Sequence, residues 1–256
     1  MGTGHDLGAE AARDRGAGMT LHEEVWARYQ DIHEQHLDYR GRTVWMREYA
    51  VLNVIPHFPP GARDVLEIAC GAGDLMDTLR ETGYNVIGTD LCPANRTTMG
   101  ARGHHVLATD VFKSPLPEQF DAIVAMGIIE HLHKEDLLPA LRACKTMLRP
   151  GGTVQFHTQN MDAPIGVHYR YLDITHELGF TPESLAQVGR LVFPRVRVMP
   201  MVYPPDTTPG WKTSVQRALS PWYRKLYRLH LRLLNTPVID AWWDKVGLVG
   251  VFEVRS

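Results

Sequence analysis

A short apolar run ending in a glycine turn is the stretch of this chain best suited to holding a ligand. Residues 65–73 read VLEIACGAG, a buried-strand composition running into Gly71 and Gly73, where backbone can come close to a ligand and a helix begins. Two carboxylates follow at the ends of further apolar runs: Asp90 closes NVIGTD (85–90) and Asp110 closes HVLATD (105–110). A carboxylate at the first position can accept both hydroxyls of a ribose. At the second, the side chain or the neighbouring backbone can meet an adenine amine. Taken singly, each Asp is equally well a solvated strand end; in this order behind a glycine turn, the three describe a nucleoside site. The dinucleotide fingerprint would place its third glycine at position 76, which is Met76. That departure counts against NAD(P), whose pyrophosphate needs the full loop.

A second set of residues suits proton transfer. Among thirteen histidines, His131 follows the apolar run FDAIVAM (120–126), on the side where clefts open at strand C-termini. His176 lies in a loop beside Glu177, which is expected to orient its ring. A neutral imidazole near its ordinary pKa is a ready base for a hydroxyl proton. Each also has a plain structural reading: a helix cap or supporting contact for His131, a loop-bracing hydrogen bond for His176. Glu130 is either a base itself or an orienting partner. His168, Tyr169, Tyr171 and Glu177 are candidate contacts to a second ligand, while His157, on a strand, is expected to pack under the pocket.

The elements that must carry these residues follow from periodicity. Val25, Tyr29 and Ile32, then Val44, Tyr49, Leu52 and Ile55, recur at helical spacing and imply two helices ended by Pro59-Pro60-Gly61. Trp26 and Tyr29 belong either to a lid or to a buried helix face. Strand-like runs at 64–69, 85–90, 105–110, 120–126 and 152–158 then alternate with helical or loop segments, which implies βαβ units and a mainly parallel sheet covered on both faces. Thr181-Pro182 caps a further helix, and 195–202 and 246–254 read as two more strands. The expected division is a flexible tail (1–18), an N-terminal helical lid (19–60), a core (61–204 and 244–256) and a helical insertion (205–243).

Lys plus Arg number 27 and Asp plus Glu 29, a net charge of −2, which argues against a dedicated nucleic-acid binder. No run approaches the roughly 18–20 apolar residues of a spanning helix. The Gly/Ala-rich first 18 residues lack a signal peptide's apolar segment, and Asp6 stands where a myristoylation pattern wants Ser or Thr. Three widely spaced cysteines suggest neither a disulfide framework nor a zinc knuckle, so a reducing cytoplasm is expected. The insertion differs from the rest: Thr207 to Ile239 holds Lys212, Arg217, Arg224, Lys225, Arg228 and Arg232 and no acidic residue. Val215, Leu219, Trp222, Leu226, Leu229 and Leu233 share one helical face. Such a helix either docks peripherally on an anionic membrane or covers a sheet edge or homodimer interface.

Over residues 62–160 the chain resembles the class I S-adenosylmethionine-dependent methyltransferases. Glu67, Gly71 and Gly73 fit that family's acidic-x-Gly-x-Gly-x-Gly motif, with Ala69 in place of its first glycine. Asp90 and Asp110 fit its ribose and adenine positions, Phe120-Asp121 its fourth strand and LRPGG (148–152) the turn before its fifth. The resemblance implies a doubly wound, Rossmann-like sheet of seven strands with an antiparallel last strand. It also implies S-adenosylmethionine as cofactor, contacted by Glu67, Ala69, Gly71, Gly73, Asp90, Leu91, Asp110, Val111 and Met126. MGIIEHL (126–132) and residues 142–160 are similar to the ubiquinone-type O-methyltransferases, and HYRYLDITHELGFTPESL (168–185) looks like bacterial glycan-pathway methyltransferases. Methyl transfer to a hydroxyl of a small molecule or sugar precursor is therefore expected, with His176, His131 and Glu130 as candidate catalytic residues. Ubiquinone-type members with Glu-x-x-Glu-His have been proposed to hold a divalent metal; Gly127 stands at the first Glu here, so no metal is expected. Two alternatives stay open: a catalytically silent cofactor-binding subunit, and an N- or carboxyl-methyltransferase of a small molecule. The Asn/Asp-Pro-Pro-Tyr signature of nucleic-acid and protein amino-methyltransferases is replaced by Met126-Gly127-Ile128-Ile129.

Overall fold

The computed structural model describes residues 42–203, 211–233 and 245–255. The expected tail, the first N-terminal helix with Trp26 and Tyr29, and parts of the 205–243 insertion lie outside the described residues. One sheet holds β1 (Asp64–Ile68), β2 (Asn85–Thr89), β3 (His105–Leu107), β4 (Phe120–Met126), β5 (Leu148–Gln159), β6 (Arg195–Pro200) and β7 (Gly247–Glu253). Its order is β3-β2-β1-β4-β5-β7-β6. β7 runs antiparallel between β5 and β6, and the other pairings are parallel. The helices are α1 (Arg42–Asn53), α2 (Asp74–Glu81), α3 (Pro93–Ala101), α4 (Leu137–Thr146), α5 (Gly166–Leu172), α6 (Pro182–Arg190) and α7 (Trp211–Leu233).

Both sheet faces are covered, which is why the central strands read as nearly unbroken apolar runs. Successive side chains still alternate between faces. Leu66, Ile123, Val154, Phe156 and Phe252 pack with Leu137 and Leu141 of α4 and Leu185 of α6. Val65, Ala122, Val124, Val249 and Val251 pack on the other side with Met46, Tyr49 and Ala50 of α1 and Leu75 and Leu79 of α2. Each fully buried side chain of this size contributes roughly 1.5–3 kcal/mol. The described part of the expected lid, α1, is thus built into the core. α6 starts as read, with Ser184 N–H donating to Thr181 Oγ1 at 3.3 Å and Pro182 at its first position.

Two boundaries differ from expectation. β3 stops at Leu107, so Asp110 lies in the following turn, where its Oδ1 accepts the Phe112 N–H at 3.1 Å and its carbonyl accepts the Ser114 N–H at 2.8 Å. The LRPGG segment is not a turn before β5 but an irregularity inside it: Leu148 pairs with Phe120, and the register resumes at Thr153 opposite Ala122. Gly151 supplies the positive φ, 78°, at that bulge.

Candidate functional site

The sheet reverses direction of growth between β1 and β4, with β2 and β3 on one side and β5 on the other. Ligand clefts open at strand C-termini beside such a reversal. Residues 69–73 leave β1 there and residues 127–131 leave β4.

In the β1 turn, Ala69, Gly71 and Gly73 have φ of 57°, 52° and 77°. All three are left-handed, so Ala69 takes the conformation that a glycine would adopt at no steric cost, for about 1 kcal/mol. A Cβ on Gly73 would stand 1.8 Å from Met99 Cε, so the tip of that α3 side chain would have to move, and the positive φ adds strain for any other residue. A Cβ on Gly71 would have no protein atom within 4 Å, which leaves that side of the turn open to a ligand. Asp90 fixes the loop. Its Oδ2 accepts the Gly71 N–H and its Oδ1 the Cys92 N–H, each at 2.8 Å, and Asn95 Nδ2 donates to both oxygens at 3.3 Å. Arg102 Nη1 donates to the Ala72 carbonyl at 2.5 Å. Glu67 is buried in β1, and the Cys70 thiol is pushed up by burial, then by the charges of Glu67 and Asp90. Leu91 is exposed at the rim, Val111 is buried beyond β3, and Met126 ends β4 half-buried. An open glycine turn beside a carboxylate held by backbone N–H groups fits a ribose-bearing cofactor.

Across the cleft end of β4, two distant segments are stitched together. The Glu130 carbonyl accepts the N–H groups of Glu177 and Leu178, both at 2.9 Å. This brings His176 beside His131, with ring centroids 4.7 Å apart. Glu130, His131 and His176 are all buried. The hydrogen bonds settle the tautomers. Thr175 Oγ1 gives its single proton to Asp173 Oδ1 at 2.7 Å, so it accepts from His131 Nδ1 at 2.9 Å. His131 then carries its lone pair on Nε2. His176 Nδ1 donates to the Tyr169 carbonyl at 2.9 Å, which leaves the lone pair on its Nε2 as well, 4.0 Å from Asp173 Oδ2. Burial pushes the Glu130 carboxyl up to about 7, with a smaller push from Asp173, against hydrogen bonding by its own backbone, Thr158 and Gln159. Donor atoms of Glu130, His131 and His176 lie within 4.8 Å of one another, so this trio is also a two-imidazole, one-carboxylate donor set of a kind that binds transition metals.

Residues 66–156 match a family described as a methyltransferase domain. The chain is 28% identical over 182 residues to a ubiquinone biosynthesis O-methyltransferase of Albidiferax ferrireducens, covering 66% of this chain and 70% of that one. It is 34% identical over 111 residues to the enzyme of the same name from Xanthomonas campestris, covering 40% of this chain but only 44% of that relative. Among solved structures, a SAM-dependent methyltransferase from Archaeoglobus fulgidus superposes with a TM-score of 0.64 at 19% identity, over 88% of this chain and 99% of that one. The N-methyltransferase NodS of Bradyrhizobium japonicum, bound to S-adenosyl-l-homocysteine, does so at 0.57 and 16% identity, over 90% and 100%. The chain carries a class I S-adenosylmethionine-dependent methyltransferase domain. S-adenosylmethionine is the cofactor of that domain, and the sheet order with β7 inserted antiparallel is its fold.

Several expectations for the methyltransferase domain need correction on the acceptor side. Glu177 does not orient His176: its carboxylate is exposed and lies 3.9 Å from His133 Nδ1, while Asp173 is the carboxylate beside His176. Tyr169 meets His176 through its carbonyl rather than its phenol, and His168 and Tyr171 are exposed on α5. Asp173 and Thr175 join the site without standing out in the sequence. Their Asp-x-Thr spacing was the available signal, since Asp173 Oδ1 accepts both the Thr175 N–H and its hydroxyl. His157 is buried against Tyr49, whose hydroxyl is 2.6 Å from its Nδ1. Burial, with His57 adding to it, lowers its pKa to about 3, which keeps it neutral.

Proposed function

We propose that the methyltransferase domain methylates a hydroxyl of a small molecule, with His176 as the general base. The observation that carries this reading is the buried His176 imidazole packed against His131, with Nδ1 tied to the Tyr169 carbonyl so that its Nε2 can take a proton beside Asp173. When bound, S-adenosylmethionine supplies an electrophilic methyl carbon on a sulfonium. Asp90 accepts the ribose hydroxyls in exchange for its long Asn95 contacts, and Gly71 leaves room for the ligand. Glu67 and Ala69 shape the turn. Leu91, the backbone at Asp110 and Val111, and Met126 line the remainder. Because the sulfonium charge is consumed, the protein's task is to align the reactants and exclude water. The acceptor's proton goes to His176 Nε2, and the nearby Asp173 carboxylate stabilises the imidazolium that results. His131 and Glu130 complete a buried proton-handling group, which we read as acid–base machinery rather than a metal centre. The curated relatives are named for O-methylation in ubiquinone biosynthesis, and Tyr171, Leu172 and Ile174 are exposed in the segment that carries His176. Both favour an acceptor with an apolar part, such as a phenol, over a bare sugar. The three thiols, none of them in a disulfide, fit a reducing compartment.

The test is a panel of phenolic and sugar hydroxyl acceptors assayed with wild type, His176→Ala and His131→Ala. Each substitution should lower turnover about 100-fold while calorimetry shows S-adenosylhomocysteine binding within about twofold of wild type. EDTA should leave turnover unchanged. Near wild-type rates in both variants would remove the base from the mechanism, and loss of activity with EDTA that added metal restores would reassign the trio as a metal site.

A further inference from the structure

Helix α7 presents an apolar stripe to solvent. Trp211, Val215, Leu219, Trp222, Leu226, Leu229 and Leu233 fall within about 80° of arc at 3.6 residues per turn. All seven are exposed, Trp222 by 66%, Leu226 by 65% and Leu233 by 77%. The helix is 23 residues long, or about 35 Å, so this is a larger apolar surface than soluble proteins usually leave uncovered. The sheet-edge cap expected of this insertion would bury those side chains, and they are not buried.

We propose that α7 is an in-plane docking element for an anionic lipid surface. The charge pattern selects that occupant. Residues 207–239 hold six Lys or Arg and no Asp or Glu, in a chain whose net charge is −2. Lys225, exposed, borders the stripe on one side and Arg228, also exposed, lies further round on that same side, and Lys225 Nζ lies 6.0 Å from the Trp222 ring centroid. Trp211, Trp222, Tyr223 and Tyr227 are side chains that favour the boundary between headgroups and acyl chains. Among the described residues no helix is long and apolar enough to cross a membrane, which leaves the surface orientation.

Two other occupants fit less well. A second copy of the helix would bring like charges together, because the positions flanking the stripe are basic or neutral and offer no salt bridge. Pro221 also lies inside the helix, where its ring removes one backbone hydrogen bond. A nucleic acid would use the basic residues but has no use for the aliphatic stripe. This inference is independent of the acceptor assigned above.

The experiment is sedimentation of the full chain with phosphatidylcholine vesicles, with and without phosphatidylglycerol, at about 0.05 M and about 0.5 M salt. Binding to the anionic vesicles should exceed binding to the neutral ones at least tenfold at low salt. It should fade at high salt, where screening shortens to a few Å. Lys225→Gln with Arg228→Gln should weaken it about 25-fold, about fivefold for each charge. Leu226→Glu should abolish it while S-adenosylhomocysteine affinity stays unchanged, which confirms a folded protein. Recovery of wild type in the supernatant under all conditions, equal binding to neutral vesicles, or undiminished binding by Leu226→Glu would overturn the proposal. A lipid-free dimer that Leu226→Glu dissociates, without vesicle binding by wild type, would assign the face to a second copy.

Discussion

At His131 the chemistry is decided two bonds away from the ring. Asp173 takes the Thr175 hydroxyl proton, Thr175 must therefore accept from His131 Nδ1, and the basic nitrogen is thereby fixed. Glu130 beside it has a consequence for stability. Its carboxyl titrates near 4.5 when unfolded and at about 7 when folded, owing first to burial. The folded state therefore holds a proton that the unfolded state has released, and stability falls as pH rises from about 4.5 to 7. At 1.36 kcal/mol per unit, the difference is about 3 kcal/mol. Glu130→Gln, which mimics the protonated acid, should gain on wild type by about that amount between pH 4.5 and pH 8 in urea unfolding. A constant difference across that range would show that the carboxyl is not strained. The sequence made His131, His176 and Glu130 visible because their side-chain chemistry is unusual near strand ends. It hid Asp173 and misplaced the role of Glu177, because which carboxylate faces a ring depends on the path of the loop rather than on adjacency in the chain.

The glycine turn shows how an element can be legible while one of its residues departs from the pattern. The acidic-x-Gly-x-Gly-x-Gly spacing located it, and Ala69 keeps the left-handed backbone of the missing glycine. Ala69→Gly should stabilise the protein by up to about 1 kcal/mol in thermal unfolding, since the strain at φ 57° outweighs glycine's extra unfolded-state entropy. The neighbouring positions should behave differently. Gly73→Ala must displace Met99 and should destabilise the fold. Gly71→Val and Asp90→Ala should leave a folded chain that has lost calorimetric binding of S-adenosylhomocysteine. Tight binding by Gly71→Val would mean that the open side of the turn is not where the cofactor sits. The errors in strand boundaries have ordinary causes. Ala108 to Asp110 repeats the Thr-Asp ending of NVIGTD after β3 has lost its partner, and Pro150-Gly151-Gly152 reads as a turn although the chain on both sides of it pairs with β4.

At the scale of the molecule, α1 is held on the sheet by contacts far apart in sequence. Asn53 is buried, donates to the Tyr49 and Val202 carbonyls at 3.1 and 2.8 Å, and accepts the Val202 N–H at 2.7 Å. Asn53→Ala removes the side-chain partner of the part-buried Val202 N–H and carbonyl and should cost about 1–2 kcal/mol, measured as a lower urea midpoint with an unchanged slope. A change below about 0.5 kcal/mol would show that water replaces the amide. Periodicity announced the helix but not this clamp, which joins residues 149 positions apart. The placement of β7 has a consequence for how the chain is made. β6 touches the rest of the sheet only through β7, so when the ribosome has finished β6 there is still no partner for it, and the outer edge of β5 is bare as well. At about 5–20 residues per second, roughly 4–18 s separate the end of β5 from the start of β7. Late in that interval the nascent protein carries two open strand edges followed in sequence by the apolar stripe of α7, a combination that favours misassociation until the last strand slides in and closes both edges at once.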